Sequence, residues 1–239
     1  GTCVQEGDQS LDLLVAQPQR RHLRARLDRR GVFQPAAQIA CEIGAFSGAT
    51  ALIAKLGPVP LSGHEIALNC AALTFMVPLG ISSAAAVRVG QNLGRKDPVG
   101  ARRAGWSAIA LGCGFMFCSG LVFVTFSRMI ARLFSPDPQV ITVGATLLLI
   151  AAAFQLFDGL QTVATGALRG TGDTHTPMLA NLVAYWFIGL PLGYVLCFQL
   201  HWGALGIWTG LCLGLIIIGS ALLIAWHRRL KPGRVKQFA

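Results

Sequence analysis

The chain has 239 residues, of which 54% are hydrophobic and only 13% are charged. Soluble globular proteins carry about a quarter charged residues, so this composition excludes an ordinary soluble domain and favours a membrane protein with several spans. A formal net charge of +10 would suggest a nucleic-acid partner in a soluble protein. Here the basic residues cluster between apolar runs, so we expect them to contact membrane lipids and no nucleic acid.

Residues 1–32 contain no apolar run that could cross a membrane. The stretch QRRHLRARLDRR (Gln19–Arg30) holds six arginines, and it lacks the apolar core and cleavage site of a signal peptide. We therefore predict that residues 1–32 form a basic cytoplasmic segment.

Six apolar segments follow, and each reaches the length of about 20 residues that a helix needs to cross a bilayer. Transmembrane strands would be shorter and would alternate in polarity, so helices are predicted. The predicted spans are Phe33–Leu56, Gly63–Leu93, Gly105–Phe126, Gln139–Leu168, Met178–Leu200 and Gly203–Trp226. The prediction is an all-α six-helix membrane bundle at residues 33–226, followed by a basic cytoplasmic tail at residues 227–239.

The basic residues between the spans predict the orientation. With the amino end in the cytoplasm, 17 Lys and Arg residues fall inside and three fall outside. This bias places both termini in the cytoplasm of a multi-pass protein of the bacterial cytoplasmic (inner) membrane. Two further expectations concern single residues: Pro78 and Pro191 kink their helices, and Trp202, Trp208 and Trp226 act as interfacial anchors.

Two acids, Glu42 and Asp158, are the only ones of ten that fall deep inside apolar spans. An Asp at the centre of a membrane helix costs about 2.5–3.5 kcal/mol on insertion scales, so such a group persists where it faces a bundle interior or a wet cavity. A carboxyl group there can bind and release a proton or Na⁺, which is the chemistry of ion-coupled transport. Glu42 and Asp158 are therefore the candidate cation-binding residues.

Polar side chains accompany both acids at helical spacing. Gln38 lies one turn before Glu42, and the fourth span carries a stripe at steps of three or four residues that shares one helix face: Gln155, Asp158, Thr162, Thr165 and Arg169. The alternative is a structural seam of hydrogen bonds between helices. Further candidates for the cavity lining are Asn69, Asn181 and Tyr185, for which an interhelical hydrogen bond is an equally good interpretation.

Enzymatic function finds little support in the sequence. There is no Ser-His-Asp order, and neither the five histidines nor the seven cysteines show a metal-ligand spacing. The turn GTGDT (Gly170–Thr174) lacks the lysine of a phosphate-binding loop. We expect no catalytic residue, no cofactor, and no metal beyond Na⁺ at Glu42 and Asp158.

Three stretches resemble one transporter family. They are EIGAFSGATALIAKLG (Glu42–Gly57), GHEIALNCAALTFMVPLGISSAAAVRVGQNLGRKD (Gly63–Asp97) and FQLFDGLQTVATGALRGTGDTHTPM (Phe154–Met178). Together they are similar to the C-terminal half of multidrug and toxic compound extrusion (MATE) transporters, with the closest likeness to the NorM-like branch. The resemblance covers residues 33–226.

This resemblance implies a function. Members of the family have twelve membrane helices in two lobes and export cationic, often aromatic compounds in exchange for protons or Na⁺. Glu42 then matches the acid of the seventh helix and Asp158 that of the tenth, both implicated in cation binding. Phe154 stands where some sodium-coupled members have a tyrosine, and Asn69 stands where some eukaryotic members have a further acid. Phe154 is therefore a cavity-lining candidate that supplies no oxygen ligand.

The chain matches only one lobe of such a transporter. The resemblance therefore implies an antiporter in half-length or truncated form, completed by a missing amino-terminal lobe or a second chain. Two alternatives stay open at this point: a lipid-linked oligosaccharide flippase of the same superfamily, and an inactive membrane remnant or interaction module.

Overall fold

The computed structural model of the chain describes residues 36–229, and this part contains six long apolar helices and no strand. They are α1 (Ala36–Ala54, as far as it is described), α2 (Pro58–Gly94), α3 (Pro98–Phe134), α4 (Pro138–Gly170), α5 (His175–Gln199) and α6 (Ala204–Arg229). All six are long and apolar enough to cross a membrane. The predicted all-α bundle of six spans is therefore confirmed. The basic segment 1–32 and most of the tail lie outside the described residues.

α2, α3 and α4 each begin with a proline in the first turn. A backbone N–H at that position would have no acceptor within the helix, so proline loses no hydrogen bond there. Asp97 and Asp137 precede two of these prolines, and their side chains accept hydrogen bonds of 2.8 Å from the backbone N–H groups of Gly100 and Gln139. The predicted starts Gly63 and Gly105 were late by five and seven residues. Hydropathy alone marks where a span enters the lipid, while the proline marks where the helix begins.

Helix irregularities lie partly away from the prolines. α3 bends at Phe126, where φ is −114° and ψ is 16°, and then continues to Phe134 instead of ending at Phe126 as predicted. α2 runs on as one helix through Pro78. In α5, π-helical segments (Val183–Gly189 and Val195–Gln199) flank a short α-helical piece that contains Pro191.

α4 is the central helix and packs against α2, α3 and α6. Gly166 lies so close to the backbone of Ser82 in α2 that a Cβ atom would collide with it. The Ser82 hydroxyl donates a 2.7 Å hydrogen bond to the carbonyl oxygen of Thr162. Small residues and polar bonds of this kind hold membrane helices together, because lipid supplies no hydrophobic driving force between them.

α5 and α6 meet along a line of glycines. Gly206, Gly210 and Gly214 recur every fourth residue of α6, and a Cβ atom at each would meet the backbone of α5. For Gly210 the atoms in the way belong to Gly189 and Gly193. This small-residue spacing permits the close helix approach that is common in membranes.

Two of the three predicted interfacial tryptophans are core residues. Trp208 and Trp226 are buried, and Trp226 packs on Gly105, whereas Trp202 is 51% exposed. Interfacial anchoring is therefore wrong for Trp208 and Trp226. Position near the end of a span says little about whether a side chain points inward.

Candidate functional site

Four residues at intervals of four place α1 against the rest of the bundle: Gln38, Glu42, Phe46 and Thr50. At this spacing they share one helix face. Their partners lie on α2, α4 and α5. The contacts of these four residues form four successive levels of the bundle interior, numbered from Gln38 at the first to Thr50 at the fourth.

At the first level, Arg169 reaches α1 from the carboxyl-terminal end of α4. Its Nη2 atom donates a 2.8 Å hydrogen bond to Oε1 of Gln38, whose side chain is buried. The charge of Arg169 also interacts with that of Glu42, one turn farther along α1. Arg169 therefore supplies a fixed positive charge beside the first of the two membrane acids.

The second level holds the two carboxyl groups. Asp158 is 6% exposed and Glu42 is half-buried, and their charges are close enough to interact. Among residues 36–229, Oδ1 of Asp158 finds no hydrogen-bond partner, and neither does Nε2 or Oε1 of Gln155, nor Oγ1 of Thr165. Buried polar atoms are nearly always paired in proteins. These four polar atoms along one face of α4 therefore mark a place that can hold a ligand or water.

The Tyr185 hydroxyl group lies within charge interaction of the carboxyl groups and donates its proton to Gln161. Nδ2 of Asn181 donates to the carbonyl oxygen of Pro177 at 2.9 Å, so Oδ1 of Asn181 faces Gln161 and accepts from its Nε2 at 2.7 Å. Oε1 of Gln161 then accepts from the Tyr185 hydroxyl at 3.4 Å. Because the carbonyl of Pro177 can only accept, every orientation in this chain is determined. The Tyr185 hydroxyl, whose surroundings include the charges of Glu42 and Asp158, thus donates its proton to Gln161, and its oxygen lone pairs remain as acceptors.

The third level is aromatic. The ring of Phe46 lies 6.0 Å from those of Phe154 and Tyr185, and Phe154 meets Trp208 edge-on at 5.6 Å. Phe154 is 2% exposed and lies one turn from Asp158 on α4. An aromatic layer therefore lies one helical turn from Glu42 and from Asp158, on the side away from Arg169.

The fourth level is a buried histidine with two hydrogen bonds. His64 of α2 has no exposed surface; its Nδ1 accepts from Nε1 of Trp208 at 3.0 Å, and its Nε2 lies 2.8 Å from the hydroxyl of Thr50. His64 therefore joins α1, α2 and α6.

The structure brings most of the predicted site residues into one region and leaves one apart. The residues brought together are Gln38, Glu42, Phe154, Gln155, Asp158, Thr162, Thr165, Asn181 and Tyr185. Asn69 is exposed, and its side chain donates to the carbonyl oxygen of Glu65 in its own helix. The sequence reasoning missed Phe46, Thr50, His64, Gln161 and Trp208. Of these, Thr50 and Phe46 could have been found, since they continue the four-residue spacing of Gln38 and Glu42.

Among residues 36–229 no group of three or more His, Cys, Asp and Glu side chains is placed to hold a metal ion. The carboxyl, amide, hydroxyl and phenol oxygens around Asp158 are instead hard donors, the kind that suits a proton or an alkali cation. The arrangement can take up a positive charge, and nothing in it resembles a catalytic nucleophile with its base.

Comparison with known proteins gives one consistent result. The MatE family model matches residues 37–195. The probable multidrug resistance protein NorM of Brucella suis is 45% identical over 194 residues, which are 79% of this chain and 41% of that protein. The multidrug resistance protein NorM of Burkholderia vietnamiensis is 49% identical over 184 residues, 75% of this chain and 39% of that protein. The crystal structure of the eukaryotic MATE transporter AtDTX14 superposes with a TM-score of 0.77 at 23% identity, covering 88% of this chain and 48% of that one.

Proposed function

The chain belongs to the MatE family, and from that premise we propose that it is one lobe of a multidrug efflux transporter in the bacterial cytoplasmic membrane. The family match supports the prediction of a transporter and not an enzyme. The chain spans about two fifths of the length of the curated relatives named above. The transport activity is therefore proposed for this chain joined to a second, complementary lobe.

The proposed reaction is the export of small organic cations in exchange for H⁺ or Na⁺. The observation that carries it is the buried Asp158 carboxyl group, whose Oδ1 atom finds no partner among the described residues, beside the equally unpartnered Gln155 amide and within charge interaction of Glu42. A charge at this depth is costly unless it is balanced. Uptake of a cation balances it, and release of the cation restores a negative site that an organic cation can occupy.

Arg169 supports alternation between these two states. Its guanidinium group is held near Glu42 by the hydrogen bond with Gln38, so it is a permanent positive charge, unlike a transported cation. It lowers the electrostatic cost of an ionised Glu42 when no mobile cation is bound. Binding of substrate and of coupling ion then compete for the same acids, and rocking of the two lobes exposes the site to each side of the membrane in turn.

The orientation and the segments outside the bundle belong to this proposal. With both termini in the cytoplasm, the connection between α2 and α3 and the end of α6 face the anionic inner leaflet, which attracts basic residues. The basic segment 1–32 and the tail 227–239 lie on the same side. The relatives favour drug export over the flippase and remnant alternatives, because the named matches are multidrug resistance proteins.

Ethidium efflux tests this function. The chain is completed by the part of the Brucella suis relative that it does not match, and the fusion is expressed in bacteria that lack their own drug pumps. We expect efflux driven by a proton or sodium gradient, lost in Asp158→Asn and Glu42→Gln and kept in the control Glu65→Gln, whose acid lies near the end of its span. Undiminished efflux in Asp158→Asn would reject the proposal.

A further inference from the structure

The hydrogen bonds of His64 determine its protonation and direction. The indole N–H of Trp208 can only donate, so Nδ1 of His64 must be an acceptor and carries no proton. The proton of the neutral ring is therefore on Nε2, which donates to the Thr50 hydroxyl, and that hydroxyl donates to the carbonyl oxygen of Phe46 at 3.1 Å. The three donors thus form one ordered chain from α6 through α2 to α1.

This chain of hydrogen bonds lies at the end of the bundle where α1 ends and where α2 and α6 begin. Thr50 is four residues before Ala54, His64 six residues after Pro58, and Trp208 four residues after Ala204. Leu56, Trp202 and Gly203 line one pocket beyond it, which places the three helix ends side by side. In the proposed orientation this end faces the outside.

The aromatic level separates this end from the acids. Trp208 is 1% exposed and packs edge-on against Phe154, which precedes Asp158 by one turn on the side toward the same end. Edge-to-face ring pairs have preferred geometry, so the orientation of one ring limits that of the other. A Trp208 ring released from His64 would no longer hold Phe154 over the carboxyl groups.

We propose that His64 is a positioning residue: by holding the Trp208 indole, it keeps Phe154 closed over the outer side of the Glu42 and Asp158 site. This inference rests on the proposed function only where the outer side of the site is called the route of the coupling cation. The closure by Phe154 concerns the polypeptide alone and can be tested without transport. In this role His64 acts through its hydrogen bond with Trp208, and its second hydrogen bond, to Thr50, fixes the tautomer that accepts from the indole.

Carbodiimide labelling tests the closure without any transport measurement. Cells expressing the full chain are treated from outside with a water-soluble carbodiimide and an amine, and the labelled fraction of Asp158 is measured by mass spectrometry. The variants are His64→Leu, which removes both hydrogen bonds, and His64→Gln, whose amide keeps one acceptor and one donor. Trp208→Phe removes the indole N–H and one of the two fused rings but keeps an aromatic side chain, and Trp202→Phe makes the same change at an exposed position.

We expect His64→Leu and Trp208→Phe to raise labelling of Asp158 about fivefold, the change that loss of one net hydrogen bond of about 1 kcal/mol implies. His64→Gln and Trp202→Phe should label like the parent. Labelling of His64→Gln equal to that of His64→Leu would overturn the proposal, because it would show that the hydrogen bonds are irrelevant. If His64→Leu fails to fold, Trp208→Phe decides, and parental labelling in that variant overturns the proposal as well.

Discussion

Replacing Asp158 by Asn should impair transport without lowering stability. Oδ1 of Asp158 has no hydrogen-bond partner, so no contact of that atom would be lost. An ionised Asp at this depth costs about 2.5–3.5 kcal/mol by insertion scales, and the neutral amide of the same shape avoids most of that cost. We therefore expect the unfolding free energy of Asp158→Asn to equal or exceed that of the parent, by up to about 3 kcal/mol.

Asp173→Asn is the matched control, because the Asp173 carboxylate is fully engaged. It accepts from the backbone N–H of Thr176 at 3.1 Å and from the Thr176 hydroxyl at 2.9 Å, and it pairs with Arg229 at 3.6 Å. Loss of a helix-capping carboxylate costs about 1 kcal/mol, and the half-exposed ion pair adds little.

Unfolding in mixed detergent micelles, followed by circular dichroism, measures both variants under the same conditions. Only Asp173→Asn should lose stability. An equal loss of unfolding free energy in Asp158→Asn would show that the prediction is wrong. It would show that Asp158 stabilises the packing of the helices, and that it does not lower the unfolding free energy for the sake of transport.

Two further predictions use matched pairs. Tyr185→Phe removes the buried phenol oxygen and should raise the coupling-ion concentration for half-maximal efflux about tenfold, the effect of losing a ligand worth about 1.4 kcal/mol. Tyr194→Phe, at an exposed ring, should leave this concentration unchanged. An unchanged value in Tyr185→Phe would contradict the ligand role. Gly210→Val forces a side chain into the backbone of Gly193 and should cost about 1–3 kcal/mol of unfolding free energy. Gly114→Val meets no neighbour among the described residues and should cost under about 1 kcal/mol. Equal losses in the two variants would show that α5 and α6 are not closely packed.

The sequence predicted the helices well because lipid imposes a strong constraint on length and polarity. It predicted the helix ends less well, since Pro58 and Pro98 start their helices five and seven residues before the predicted starts Gly63 and Gly105. The π-helical segments around Pro191 were not predictable from hydropathy, because they depend on how α5 packs against the glycines of α6.

The two acids could be predicted because a carboxylate in an apolar run stands out by its cost. His64 and Gln161 could not, since neither is unusual near the end of a span or beside other polar residues. Their roles depend on partners 144 and 20 residues away, Trp208 and Asn181, and only the folded chain shows such contacts. Asn69 illustrates the reverse case: a polar residue inside a span that bonds to its own helix and lies on the outer surface of the bundle.

The proposed transport requires that Glu42 and Asp158 form a cation site within this one chain. Infrared difference spectroscopy of the purified chain in lipid nanodiscs detects such a site through the C=O band of protonated carboxyl groups, followed as pH is lowered or Na⁺ is added. We expect a band that grows on acidification, that Na⁺ suppresses if it occupies the same oxygens, and that Asp158→Asn diminishes. A band that is the same in the parent and in Asp158→Asn at every pH would show that Asp158 takes up no proton.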